Sequence, residues 1–103
     1  MNTQQFEHSL EEDAPPPGLT PALGALWQDG KGDWSGAHAR LKDQNDAESA
    51  WVHAYLHRKE GDMGNAGYWY RRAGQPMFTG TLADEWRHIA GALLAQSGAD
   101  RAG

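Results

Sequence analysis

The chain has 103 residues, 39% hydrophobic and 10% aromatic, enough for one packed domain and too few for two. It contains no Cys, which excludes disulfides, thiolate metal ligands and a cysteine nucleophile. Of the net charge of −5, most sits in Glu7, Glu11, Glu12 and Asp13, ahead of any Lys or Arg. The remainder is close to neutral and offers no basic footprint for a phosphate backbone, so no nucleic-acid partner is expected.

Residues 1–18 have neither a basic start nor an apolar run, and no later stretch reaches the roughly 18 apolar residues of a membrane span. The expectation is a cytoplasmic protein without a membrane partner. The segment is polar and acidic and ends in Ala14-Pro15-Pro16-Pro17-Gly18, which predicts a disordered acidic, proline-rich tail ahead of an all-α domain over 19–103. Docking of the tail through Phe6 and Leu10 is the alternative.

Thr20 before Pro21 reads as an N-cap followed by Pro at the first helical position, opening a helix to about Gln28 with Leu23, Leu26 and Trp27 inward. Asp33 caps the next helix, which places Trp34, Ala37, His38 and Leu41 on one stripe. Asp46 caps a third. There Ala47, Ala50, Trp51, Ala54 and Arg58 share one face while Val52 and Leu56 lie nearly opposite, the pattern of a helix packed between neighbours. Gly61 stops it, and Asp62 or Asn65 caps a fourth helix with Ala66, Trp69, Tyr70 and Ala73 inward, ended by Gly74 and Pro76. Thr81 and Asp84 then open a fifth, whose apolar stripe runs through Leu82, Trp86, Ile89, Ala90, Leu93 and Leu94.

The Gly-Asp dipeptide at 32–33 and again at 61–62 gives an internal repeat of about 29 residues, each unit carrying one turn and one apolar helix. Over residues 61–76, Gly61, Asp62, Ala66, Tyr70, Ala73 and Pro76 resemble the second half of a tetratricopeptide (TPR) or Sel1-like repeat; Gly32, Asp33, Ala37 and Leu41 match in part. The resemblance implies a short stack of about five helices, two hairpins plus a C-terminal capping helix, acting as a protein- or peptide-binding module. The run from Trp51 to Asp62, continued from Asn65 to Arg72, is also similar to a signature of small bacterial and fungal proteins, and no activity comes with it.

Two sets of side chains carry chemistry. Arg58, Tyr68, Arg71 and Arg72 cluster beside the second hairpin turn, where guanidinium forks and aromatic rings suit an acidic or carboxylate-bearing protein or peptide. Arg58 pairing with Asp62 or Glu60, and Arg72 lying against Trp69, would instead form an internal network. His53 and His57, four apart on one helix with Glu60 a turn beyond, have the spacing by which two imidazoles reach one divalent transition metal such as zinc. A third ligand could come from His38 or His88, and the alternative is that both imidazoles are packing residues with satisfied polar atoms. The position after His53 is Ala54 rather than the Glu of helical metalloproteases, and no Ser has a nucleophile context, so no catalytic residue is assigned and no cofactor other than that metal is expected. Apolar surface left at the ends of so short a stack points to self-association as a further possibility.

Overall fold

The computed structural model describes residues 1–97, and these are all-helical: α1 (Thr3–His8), α2 (Pro21–Gly30), α3 (Trp34–Leu41), α4 (Ala47–Glu60), α5 (Met63–Ala73) and α6 (Leu82–Ser97). A single 3₁₀ turn, Ser9–Glu11, follows α1. The last part of the expected domain, residues 98–103, lies outside the described residues. No described helix is long and apolar enough to cross a membrane.

Most helix starts are set by one short side chain that accepts from an otherwise orphaned amide. Thr20 accepts from Leu23 N–H, Asp33 from Gly36, Asp46 from Ser49, Asp62 from Asn65 and Thr81 from Asp84. The ends of α4 and α5 are set by Gly61 (φ +89) and Gly74 (φ +70), in the left-handed conformation that a Cβ disfavours. The helix from Pro21 runs two residues beyond the expected Gln28, to Gly30.

Helices α2 and α3 form one hairpin and α4 and α5 the other, with α6 packed across α4, α2 and α1. Helix α4 touches α2, α3, α5 and α6. That position accounts for its lack of a polar side: residues 49–57 are all buried. Fully buried Ala37, Ala54 and Ala66 keep side-chain bulk low where α3, α4 and α5 meet.

Among the described residues two acidic groups lie inside, and each is paired with a cation there. Asp29 accepts from the Tyr55 hydroxyl and from Lys59 Nζ, each at 3.0 Å. Glu85, with no solvent exposure, accepts from Arg58 Nη1 at 2.8 Å and from the Tyr70 hydroxyl. Burial first, and then the adjacent carboxylates, push both tyrosine hydroxyls well above their ordinary range, so they remain donors at neutral pH.

The expected disordered tail is overturned. Asn2 and Gln5 form a reciprocal capping box, and Phe6 is fully buried with its ring stacked on Trp86 at 5.4 Å. The acidic charge that lacks cations locally finds one far along the chain, where Arg87 reaches Glu7 at 3.0 Å. Lys31 Nζ donates to the Leu10 and Glu12 carbonyls at 2.8 Å, and Trp27 Nε1 donates to Ser9 Oγ at 3.1 Å. The prolines are thus a connector between two anchored segments. Replacing Phe6 with Leu should lower the unfolding free energy by about 1 kcal/mol through lost ring stacking. Urea denaturation reads this directly, and an unchanged midpoint would contradict a docked α1.

Candidate metal centre

One turn of α4 separates His53 from His57, so both rings leave the same face of that helix. The rings are parallel (interplanar angle 1°), with centroids 5.6 Å apart. His38 of α3 stands perpendicular to both, at 4.8 Å from His53 and 5.2 Å from His57. One ring nitrogen from each of the three lies within 4.8 Å of the others. Zinc holds ligand nitrogens at about 2.0–2.1 Å, which in a tetrahedral site sets them roughly 3.4 Å apart, so a modest side-chain rotation brings the three onto one ion.

Two indoles wall the cluster. Trp34, one turn before His38 on α3, stacks on it at 5.0 Å, meets His57 edge-on at 6.4 Å, and anchors its Nε1 on the Leu56 carbonyl at 2.9 Å. From the other side Trp69 of α5 stacks on His53 at 4.1 Å. His53 is 5% exposed, His57 7%, and His38 is half-buried. The imidazole face of α4 therefore lies between α3 and α5, with aromatic walls and a partly open His38 side.

The protonation states suit ligation. Nδ1 of His57 lies 2.7 Å from Glu60 Oε1; in the neutral ring it donates to the carboxylate and leaves Nε2 as the lone-pair nitrogen. His53 Nδ1 is buried without a hydrogen-bond partner among the described residues. Burial, followed by His38, His57 and Arg72, pulls His53 down to about 4. Burial and His57 also hold His38 below its ordinary value. Both shifts favour the neutral ring, the form that binds metals.

A second grouping, His57, Glu60 and Asp62, falls within similar reach. Its two carboxylates are exposed, and Asp62 is already engaged as the cap of α5, accepting from the Asn65 amide and side chain. Glu60 is thereby close to His57, as expected, but stands at Nδ1, where it orients the ring. His88 is not part of the cluster; it packs on Trp51 and Phe78, each at 5.7 Å.

The expected partner-binding residues separate into two places. Arg58 is drawn toward α6, bound to Glu85 and to the Gly80 carbonyl rather than to Asp62 or Glu60. Tyr68, Arg71 and Arg72 are exposed on α5, with Arg72 over the Trp69 ring at 5.0 Å and over Tyr68 at 5.9 Å. The residues that sequence reasoning missed at the site are the walls, Trp34 and Trp69. The available signal was Trp34 sharing the helical stripe of His38.

The depressed His53 gives a pH dependence with a definite sign. Between about 4 and 6.5 the native metal-free protein binds fewer protons at this ring than the unfolded chain does. Stability is therefore full above pH 6.5 and falls as the pH drops toward 4, by on the order of 3 kcal/mol. Urea midpoints measured across this range should show the loss, and His53→Gln should flatten it; a profile unchanged by that substitution would contradict the assignment.

Comparisons with family models, with curated proteins and with solved structures give no match to this chain.

Proposed function

We propose that the protein is a small transition-metal-binding module in which His38, His53 and His57 ligate one divalent ion. The observation that carries this reading is the convergence of three imidazoles from two packed helices, one of them oriented by a carboxylate and one holding a buried nitrogen with no partner among the described residues. A buried polar atom without a hydrogen bond is unfavourable by about 1–3 kcal/mol, and ligation would relieve that penalty. Imidazole suits zinc, copper, nickel and iron, and zinc accepts three protein ligands with a fourth position left open. The short stack that resembles a TPR or Sel1-like array supplies the frame. Elemental analysis and calorimetry on untagged protein should find one Zn²⁺ per chain; substoichiometric, weak uptake would remove the reading.

A second reading, binding of an acidic peptide by the outer face of α5, is favoured by the exposure of Tyr68 and by the lack of a carboxylate partner for Arg71 or Arg72 among the described residues. Exchanging both arginines for Ala should weaken binding of a fluorescent acidic peptide by about tenfold, since hydrogen bonds to charged groups contribute roughly 1.5–3 kcal/mol. Unchanged anisotropy titrations with the folded double variant would dismiss it.

A further inference from the structure

We propose that the cavity between the ends of α2 and α4 and the start of α6 binds a small uncharged molecule with an apolar body and a hydroxyl or amide head. The site uses none of the three imidazoles, so it stands or falls apart from the metal-binding reading.

The cavity has a volume of about 370 Å³. Counting roughly 30 Å³ for each water-sized unit, it has room for about a dozen non-hydrogen atoms. Leu82 and Ala83 of α6, Trp86 one turn beyond Leu82, and Leu10 of the 3₁₀ turn give it apolar walls. Gly30 adds bare backbone, because a Cβ there would stand 2.8 Å from the Leu10 side chain and 3.2 Å from the Trp86 ring. The docked N-terminal segment, through Leu10, is therefore part of the site.

Polar groups meet in one corner. Asp29, Tyr55 and Lys59 all line the cavity, and the Asp29 carboxylate joins the other two at 3.0 Å each. An ammonium has three N–H donors, and Lys59 commits only one of them, to Asp29, among the described residues. The Tyr55 hydroxyl gives its proton to Asp29 and keeps an oxygen that can accept. The corner thus offers both donors and an acceptor, and a hydroxyl or an amide matches both.

Charge decides the class. Asp29 is paired with Lys59 and, at the rim, Glu7 with Arg87, each at 3.0 Å. These are the charged residues that line the cavity, and their charges cancel. A charged ligand would find no free counter-charge, and burying an unpaired charge is costly. A neutral head leaves both pairs intact.

The test titrates the full-length protein with three probes that share one ring, benzyl alcohol, benzoate and benzylamine, and follows the backbone amides of Gly30, Gly32 and Ala83 by ¹H–¹⁵N NMR. Benzyl alcohol should give saturable shifts at these amides and bind about tenfold more tightly than either charged probe. Ala83 is exposed on α6, so Ala83→Phe fills the cavity wall without disturbing the core, and it should abolish the shifts. Lys59→Ala leaves Asp29 without its cation, and there benzylamine should overtake benzyl alcohol by about tenfold, because its ammonium replaces the one removed. Should that variant fail to fold, the wild type and Ala83→Phe still decide. Absence of saturation by all three probes up to about 20 mM overturns the site, since even ligands this small reach millimolar affinity in a formed pocket. Tighter binding of benzoate or benzylamine by the wild type overturns the uncharged class, and unchanged shifts in folded Ala83→Phe overturn the location.

Discussion

Replacing any one of His38, His53 and His57 with Ala should lower Zn²⁺ affinity by more than the roughly 10–100-fold expected when a residue that only orients a ligand is lost. Glu60→Ala should fall within that smaller range, because it frees His57 Nδ1 without removing a ligand nitrogen. His88→Ala should leave affinity unchanged, since that ring packs on Trp51 and Phe78. Competition with a chromophoric chelator measures all five variants on one scale. The order of effects separates three ligands on two helices from a simple pair on α4: were His38→Ala silent, the third ligand would have to come from elsewhere. Circular dichroism on each variant guards against unfolding, and His38→Gln, which keeps side-chain bulk beside Trp34, provides a gentler version of the most informative substitution.

Glu85→Ala should destabilise the protein by about 3–4 kcal/mol, the size expected when one partner of a buried ion pair is removed and the other left without compensation. Glu85 has no solvent exposure, and its carboxylate is the sole acidic partner of Arg58 among the described residues and also accepts from Tyr70. Removing it strands a largely buried guanidinium and a buried hydroxyl and opens a cavity where α4, α5 and α6 meet. For a chain of this size the melting temperature should fall by roughly 15–20 °C. The exposed pair between Glu7 and Arg87 offers the contrast, since losing Glu7 should change the midpoint little. Comparable melting temperatures for Glu85→Ala and wild type would show that the network is not needed for stability.

How much of this was legible follows the range of each interaction. Caps act over three residues, and so Thr20, Asp33, Asp46, Asp62 and Thr81 mark their helix starts in the sequence alone. The same holds for Gly61 and Gly74, whose positive φ ends α4 and α5. Apolar residues on opposite sides of α4 foretell its central place, and the spacing of His53 and His57 foretells a shared face. The docking of the N-terminal segment is not legible locally because its partners, Trp86 and Arg87, come from the far end of the chain, where no local pattern connects them to Phe6 and Glu7. Glu85 carried a faint signal: it sits three residues after Leu82 and four before Ile89, on the apolar stripe of α6. Its partner Arg58 belongs to another helix, and composition favoured nearer acids such as Glu60 and Asp62. Glu60 illustrates the limit at the site, since spacing brings a carboxylate beside an imidazole without saying which ring nitrogen it holds.

The most direct test of the three-imidazole centre is long-range ¹H–¹⁵N NMR of the histidine rings during Zn²⁺ titration. The chain has five His, two of which, His8 and His88, serve as internal references. At one equivalent of Zn²⁺ the ring nitrogens of His38, His53 and His57 should shift together, with His57 bound through Nε2 and its Nδ1 still protonated toward Glu60. Shifts at His8 or His88 in their place, or none at stoichiometric metal, would contradict the account.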